Sequence, residues 1–91
     1  MELKQAFGQA LRKTRAVRGL TQEDFADVSS RTYMSTLERG IKSPTLDKLV
    51  EIAARMEVHP LSLLTEAFLL VDEEDDIEVI FTQIKRDLGI S

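Results

Sequence analysis

Cysteine is absent from this chain of 91 residues, which excludes disulfide bonds and thiolate ligands for a metal. Glycine, proline and aromatic residues are also scarce, with four glycines, two prolines and 5% aromatics. This scarcity argues against a turn-rich β fold and favours helices. No apolar run approaches the ~18 residues of a membrane span, and the N-terminal sequence MELKQAFGQALRKTR lacks a signal-peptide core. We expect one helical protein of the reducing cytoplasm, without a membrane segment.

Residues with catalytic or metal-binding chemistry are few. His59 is the single histidine, and no glycine-rich phosphate loop is present. Without a nucleophile–base pair we expect neither enzyme activity nor a cofactor. The acidic run DEEDD at 72–76 lacks the alternating ligands and central glycine of a calcium loop, so we interpret it as a helix start and not as a metal site. His59 stands before Pro60 and is expected to be a loop or cap residue.

The formal net charge is −4, but the charge is unevenly distributed along the chain. Residues 1–43 hold eight Lys and Arg against five acids, a balance of +3. Residues 44–91 hold four Lys and Arg against eleven acids, a balance of −7. Such an asymmetry is typical of a chain in which one half meets a polyanion, and a randomly charged surface is the simpler alternative.

Apolar residues recur at three- and four-residue steps along most of the chain, which is the period of amphipathic helices. Thr21, Thr45 and Pro60 stand at helix starts, where a side-chain cap or a missing N–H is favourable. Six helices and no strand are expected: Leu3 to Val17, Thr21 to about Val28, Thr32 to Arg39, a helix after Thr45, a helix from Pro60, and about Glu74 to Leu88.

Three segments, in this order, resemble the phage-repressor (XRE-type) helix-turn-helix family. FGQALRKTRAVRGLTQEDFA resembles its first two helices, RTYMSTLERG its recognition helix, and SPTLDKLVEIAARMEVHPLSLL its closing two helices. The resemblance covers residues 7 to about 64. It implies an all-α fold, namely a five-helix lambda-repressor-like DNA-binding domain, to which this chain adds a C-terminal helix. It also implies double-stranded DNA as the partner.

In such a fold the N-terminal end of the recognition helix reaches base edges in the major groove. The candidates for base contacts are the polar residues on its exposed face: Arg31, Thr32, Ser35 and Thr36. Arg31 is the sharpest candidate because a guanidinium pairs with O6 and N7 of guanine; a solvated arginine or a phosphate contact is the alternative. The candidates for phosphate contacts are Gln22, Ser30, Arg39, Lys42 and Ser43. For Gln22 the alternative is a solvated side chain in a capping turn.

The resemblance also implies an ion pair that joins the first helix to the recognition helix. Its residues map here onto Arg15 and Glu38, and we expect this pair to be structural. Family members usually carry about two more residues, over half a helical turn, between the alanine matched by Ala26 and the recognition helix. We therefore expect a shortened second helix and a serine cap on the third, with Met34 and Leu37 still facing the core.

A single recognition helix reads too few base pairs to be selective, and the usual remedy is a C2 dimer on a pseudo-palindrome. The apolar residues near the C-terminus exceed the needs of a five-helix core. We expect them to form a homodimer interface: Phe68, Leu69, Leu70, Ile77, Ile80, Phe81, Ile84 and Leu88. The alternative is that the last helix packs on its own domain. The corresponding division is a helix-turn-helix domain at 1–68 and an acidic segment with a dimerising helix at 69–91.

These features predict a sequence-specific, dimeric transcriptional regulator that blocks or recruits polymerase by occupying an operator. One rival is an antitoxin or anti-regulator that grips a basic protein through the acidic C-terminal half, so a protein partner is left open. A second rival is a fold retained as a dimerising scaffold, which predicts weak DNA binding without sequence preference. The set Arg31, Thr32 and Thr36 argues against the second rival, whereas the negative net charge argues for it.

Overall fold

A computed structural model describes residues 1–90 of the chain. Within that range the protein contains five α-helices, one 3-10 helix and no strand, which confirms the expected all-α class. In chain order the elements are α1 (Leu3–Val17), the 3-10 helix (Gln22–Phe25), α2 (Arg31–Glu38), α3 (Leu46–Arg55), α4 (Pro60–Val71) and α5 (Ile77–Leu88). None of these helices is long and apolar enough to cross a membrane.

Side-chain caps fix the first turn of four of these helices. The hydroxyls of Ser30 and Thr45 accept the backbone N–H of the residue three positions on, at 3.0 and 3.1 Å. The imidazole Nδ1 of His59 accepts the N–H of Leu61 at 3.0 Å, which confirms that this histidine is a cap residue. Asp76 caps α5 in the same way, by accepting the N–H of Glu78. Each cap satisfies a donor that the helix itself leaves unpaired.

The hydrophobic core lies where α1 packs against α2 and α4. Its largest fully buried side chains come from every element except α5: Leu11, Phe25, Met34, Leu37, Ile52, Met56 and Leu63. Met34 and Leu37 on α2 are among them, as the sequence predicted. Burial of side chains of this size contributes roughly 1.5–3 kcal/mol each relative to exposure. The core therefore fixes which face of α2 points inward and which face remains in solvent.

Gly8 allows α1 to lie close to the C-terminal end of α2. A Cβ at this position would stand 2.6 Å from the carbonyl oxygens of both Leu37 and Glu38. Gly40 follows the C-cap of α2, and its φ of +72° is the left-handed conformation that commonly terminates a helix. A Cβ on Gly40 would stand 2.9 Å from the Cα of Gln5. Two glycines thus set the spacing between α1 and the helix that is expected to read DNA.

The second of the six expected helices is shorter than expected, and it is a 3-10 helix instead of an α-helix. The expectation of a helix from Thr21 to about Val28 is wrong, because regular structure ends at Phe25 after a single 3-10 turn. The N–H groups of Val28 and Ser29 both bond to the carbonyl of Phe25, at 2.9 and 2.8 Å, and close a turn instead of extending a helix. Phe25 is fully buried, so the missing length is taken from the residues after it.

The last helix also begins later than expected, at Ile77 instead of about Glu74. The carboxylate of Glu74 accepts the N–H groups of Asp75 and Asp76 at 2.9 and 3.1 Å, and this local turn replaces a helical one. Glu73 before it has a φ of 51°, which is incompatible with a helix. The expected division of the chain at residue 68 falls inside α4, which continues to Val71. No residue of α5 is buried.

Candidate nucleic-acid interface

The candidate interface is built on α2, a helix of eight residues that starts at Arg31. Ser30 caps its first turn, and the burial of Met34 and Leu37 fixes its rotation about its own axis. Residues three and four positions apart lie on the same side of a helix, so these two buried residues leave the opposite side open. Thr32 lies on that open side, and Arg31, three positions before Met34, lies at its edge; both side chains are exposed. The core-facing side of α2 is therefore anchored, and its first turn remains open to solvent.

Ser35 and Thr36 are partly buried, one turn further along α2. The Thr36 hydroxyl donates to the carbonyl oxygen of Tyr33 at 2.7 Å, which occupies its only proton. Thr36 can therefore accept a hydrogen bond or present its methyl group, but it cannot donate without breaking this contact. Ser35 makes no side-chain hydrogen bond within the described part of the chain. All four expected base-reading residues thus lie on α2, but they differ in exposure and in whether a hydrogen-bond donor is already engaged.

Arg31 is paired with Glu23, a residue that the sequence analysis did not single out. Its Nη1 lies 3.1 Å from Oε1 of Glu23 on the 3-10 helix, and the two side chains are 72% and 70% exposed. The signal for this contact lies in the short turn, which leaves Glu23 and Arg31 eight positions apart. An acid is therefore part of the surface on which Arg31 lies.

Arg15 and Glu38 lie in contact beneath this surface. Nε and Nη2 of Arg15 donate to the two carboxylate oxygens of Glu38 at 2.7 and 3.0 Å, and Nη1 donates to the carbonyl of Leu20. The side chains are only 17% and 5% exposed. Hydrogen bonding to Glu38 raises the pKa of Arg15 above its usual range, although burial opposes the shift. The cation is therefore retained, and the carboxylate of Glu38 is satisfied by a planar, two-point partner.

Gln22, expected at a DNA phosphate, is held inward by this ion pair. Its Nε2 donates to Oε1 of Glu38 at 3.3 Å, and its side chain is partly buried. Glu38 thereby connects the 3-10 helix to both α1 and α2. The backbone N–H and hydroxyl of Thr21 meet the Asp24 carboxylate at 2.7 and 3.2 Å, and these hydrogen bonds lower the pKa of Asp24. Both ends of the 3-10 helix are consequently tied to neighbouring groups.

Exposed polar and basic residues follow the C-terminal end of α2. Arg39, Lys42 and Ser43 are all exposed, and their side chains make no hydrogen bond or ion pair with other residues in the range 1–90. Ser30, the remaining phosphate candidate, uses its hydroxyl oxygen to accept the N–H of Tyr33. The hydroxyl proton of Ser30 remains available. Free donors therefore flank α2 at both ends.

The short turn before α2 is braced by α3. Nζ of Lys48 donates to the carbonyl of Val28 at 2.6 Å and lies 2.9 Å from the carboxylate of Glu51. Arg55 lies 3.7 Å from Asp27 in the same turn. Sequence reasoning missed Lys48, because a lysine on an amphipathic helix ordinarily points to solvent. In a longer second helix the carbonyl of Val28 would accept a backbone N–H of that helix, and here the ammonium of Lys48 is its donor instead.

Six of the eight residues expected at a dimer interface lie between α4 and α5, and the exceptions are Leu70 and Leu88. Leu70 packs against the buried core and is separated from the others. Two open grooves of about 660 and 520 Å³ run along either side of α5. Phe68 and Ile80 line the first, Leu69, Ile77 and Phe81 line the second, and Ile84 lines both. Leu88, near the end of α5, is 67% exposed.

Comparison with known proteins identifies this arrangement. A family model described as helix-turn-helix matches residues 11–63, more than half of the chain. An uncharacterized HTH-type transcriptional regulator, y4dJ, from Sinorhizobium fredii is 36% identical over 67 residues, which cover 71% of this chain and 87% of that protein.

Two solved structures have the same fold. The clp gene regulator ClgR from Corynebacterium glutamicum has a TM-score of 0.68 and 33% identity, over 74% of this chain and 90% of that one. The restriction-modification controller protein C.AhdI from Aeromonas hydrophila has a TM-score of 0.62 and 33% identity, over 65% of this chain and 92% of that one. All three relatives are named as regulators or controllers. The chain belongs to the helix-turn-helix family, and it is a DNA-binding transcriptional regulator and not an enzyme.

Proposed function

We propose that the protein regulates transcription as a homodimer bound to a pseudo-palindromic operator, with α2 of each copy in the major groove. The observation that carries this proposal is the first turn of α2. Arg31 and Thr32 are exposed in that turn, while Met34 and Leu37 anchor the helix in the core. A major groove admits one α-helix, and residues near its N-terminal end reach the base edges.

The side chains of α2 suit different kinds of base contact. Arg31 offers a planar fork of donors that fits O6 and N7 of guanine. Thr32 and Ser35 can donate or accept, because neither hydroxyl is engaged elsewhere in residues 1–90. Thr36, whose proton is held by the carbonyl of Tyr33, is suited to accepting a hydrogen bond or packing its methyl against thymine. The helix therefore supplies both hydrogen-bonding and apolar readout.

Phosphate contacts would flank the groove-bound helix. Arg39, Lys42 and Ser43 are unengaged and exposed beyond its C-terminal end, and Ser30 retains its hydroxyl proton at the other end. Gln22 would reach a phosphate by giving up its contact with Glu38. Each phosphate neutralised by a cation makes the logarithm of affinity fall with the logarithm of salt by about 0.9. The net charge of −4 does not oppose this, because residues 1–43, which include α2 and these candidates, carry a balance of +3.

A second copy would cover the exposed apolar face of α5. This helix buries no residue of its own in the monomer, and Ile77, Phe81 and Ile84 are 38 to 43% exposed. An apolar stripe of this length on an isolated surface helix is typical of an interaction site. Covering it would give the C2 symmetry that a pseudo-palindromic operator requires.

The charges on α5 favour an antiparallel arrangement of the two copies. Glu78 precedes Phe81 by three residues and Lys85 follows it by four, so all three lie on one side of the helix. In an antiparallel pair, Glu78 of each copy would face Lys85 of the other, and the two Phe81 rings would meet near the dyad. A parallel pair would place like charges together. The proposal therefore places the dyad at the middle of α5.

Selection from a random-sequence pool of DNA duplexes tests the proposed function. At low salt the protein is expected to enrich a pseudo-palindromic motif, and the enrichment should weaken steeply at higher salt. Arg31→Ala should lose the preference for one guanine in each half-site. Arg12→Ala, which removes an exposed arginine of α1, is the matched control and should retain the motif. Enrichment of no motif, or the same motif with Arg31→Ala, would contradict the proposal.

The two rival functions receive less support. The relatives are named as a transcriptional regulator, a gene regulator and a controller protein, so an antitoxin or anti-regulator that binds a basic protein is not favoured. A dimerising scaffold without sequence preference conflicts with the anchored and exposed first turn of α2. The same selection decides this second rival, since a scaffold enriches no motif.

A further inference from the structure

The carboxylate of Glu23 lies beside the arginine that the proposed function assigns to base reading. We propose that Glu23 determines sequence specificity: it holds the Arg31 guanidinium in position for a guanine and weakens binding to all other sequences. This inference rests on the proposed function, because it takes α2 as the reading helix. It concerns a residue on a different element, the 3-10 helix, with a charge opposite to that expected at a DNA surface.

The contact arises from the short turn of this chain. Phe25 is fully buried and fixes the 3-10 helix, and the Ser29 N–H bonds to its carbonyl at 2.8 Å. Ser30 then caps α2 directly. The backbone on both sides of the contact is thereby constrained, and Oε1 of Glu23 lies 3.1 Å from Nη1 of Arg31. A longer second helix would move the two side chains apart.

Glu23 is the residue of the 3-10 helix that is free to act in this way. Gln22 donates to Glu38 at the C-terminal end of α2, and Asp24 accepts from Thr21, so neither side chain is engaged with the first turn of α2. Phe25 is in the core. Glu23 has Arg31 as its partner, and most of its side chain is in solvent. Its carboxylate therefore lies on the same open surface as the first turn of α2.

The pairing geometry leaves Arg31 able to bind a base. A guanidinium has five N–H donors, and the contact with Glu23 uses Nη1. The remaining edge can still pair with the two parallel acceptors of guanine. An unrestrained arginine loses much rotamer freedom when it binds, and a side chain already held in one orientation loses less. Glu23 should therefore favour Arg31 binding specifically at guanine.

The same carboxylate acts against binding that depends on phosphates alone. A negative charge on the DNA-facing surface repels the backbone of every duplex, whatever its sequence. At the correct site this repulsion is offset by the ordered Arg31 contact, but at other sites it is not. Specificity is a difference between two affinities, and an element that disfavours the wrong partner raises it. Glu23 would thus lower the affinity for every duplex, and the ordered Arg31 contact would restore it only where a guanine is present, so the ratio of the two affinities rises.

Glu23→Gln tests this role, and Asp47→Asn is the matched control. Asp47 is an exposed acid in the first turn of α3, so both changes remove one negative charge. The probes are a duplex recovered from the random pool and a shuffled duplex of equal length. Glu23→Gln should tighten binding to the shuffled duplex about threefold and lower the ratio of the two affinities about tenfold. Asp47→Asn should leave that ratio unchanged, and circular dichroism should show equal helix content in both variants.

The Arg31→Ala background separates this inference from the proposed function. In that background Glu23→Gln should no longer change the ratio of affinities, because its effect passes through Arg31. An equal change in both backgrounds, or a lost preference at a cytosine, would show that Glu23 acts on DNA by itself and would overturn the inference. An unchanged ratio in Glu23→Gln would overturn it as well. If instead Arg31→Ala alone retains the motif, the proposed function fails.

Discussion

Arg15 on α1 and Glu38 on α2 form a two-point ion pair, with Nε–Oε2 and Nη2–Oε1 distances of 2.7 and 3.0 Å. The pair lies below the surface that carries Arg31, and Gln22 of the 3-10 helix donates to the same carboxylate. Three elements therefore meet at Glu38. Because Gly8 lets the backbones of α1 and α2 approach, the side chains can span the gap with good geometry. This relationship holds α2 against α1 and the 3-10 helix.

Arg15→Ala should lower the free energy of unfolding by about 3 kcal/mol, the low end of the cost of breaking a buried pair. The change leaves the Glu38 carboxylate, 5% exposed, with Gln22 as its remaining side-chain partner. Urea unfolding measures the effect, and Arg12→Ala on the exposed side of α1 is the control, expected within about 0.5 kcal/mol of wild type.

The double variant Arg15→Ala with Glu38→Ala distinguishes an ion pair from two independent packing residues. Removing both charges avoids an unpaired buried carboxylate, so the loss should be smaller than the sum of the two single losses. Strict additivity of the two single variants would contradict the structural role that we assign to the pair.

Lys48→Met should loosen the turn before α2. The substitution keeps most of the aliphatic stem but removes the donor that lies 2.6 Å from the carbonyl of Val28. An acceptor left partly buried without its partner costs about 1–3 kcal/mol. Amide hydrogen exchange at residues 26–30 should therefore become faster than in Lys4→Met, a control on the exposed side of α1. Equal exchange in the two variants would show that α3 does not brace the turn.

The Asp24 carboxylate should make stability depend on acid pH. The N–H of Thr21 and then its hydroxyl lower the pKa of Asp24 in the folded protein below its ordinary value of 3.8. A group with a lowered folded pKa stabilises the fold above its unfolded pKa, and this stabilisation is lost as pH falls through the folded pKa. Between neutral pH and pH 5 the contribution should be constant, and below about pH 4 it should decline.

NMR titration of the Asp24 side chain and unfolding midpoints at each pH measure this effect. Asp24→Asn should flatten the acid limb of the stability curve, whereas Asp47→Asn, at an exposed acid in the first turn of α3, should retain the Asp24 contribution. A titration midpoint of Asp24 at or above its ordinary value would contradict the hydrogen bonding described for Thr21.

Charge reversal on α5 tests the antiparallel dimer. Glu78→Lys and Lys85→Glu should each raise the dimer Kd about tenfold, because each places like charges together at two symmetric positions. The double variant should recover most of the wild-type affinity. Arg86→Glu, at an exposed residue of α5 that lines neither groove, is the matched control and should have little effect. Sedimentation velocity over a range of concentrations gives the Kd, and failure of the double variant to recover would contradict the antiparallel arrangement.

Much of the fold follows from local sequence signals. The bounds of α1 follow from apolar residues at helical spacing, and α3 and α4 also have the capping side chains of Thr45 and His59; all of these act within a few residues. The third of the expected helices, which is α2, was misplaced by one residue only, since Ser30 serves as its cap. The late start of α5 was missed because the acids of DEEDD bond to their own backbone as readily as they favour a helix start.

The candidate interface was harder to predict in detail than the helices. The sequence indicated which residues lie on α2, since Met34 and Leu37 set its inner face. The 3-10 helix was not predictable, because it results from the burial of Phe25 and from Lys48, which lies twenty positions beyond Val28. The contact between Glu23 and Arg31 depends on that turn and was therefore missed. Interactions across a turn of irregular length require the three-dimensional path of the chain.

The central claim is that Arg31 reads a guanine through the major groove. The most direct measurement replaces each guanine of a selected duplex, one at a time, with 7-deazaguanine, which lacks the N7 acceptor. One guanine in each half-site should then lose binding by about 1–3 kcal/mol with the wild-type protein and by almost nothing with Arg31→Ala. If the wild-type protein and Arg31→Ala respond alike at every guanine, Arg31 does not read a base and the account is contradicted.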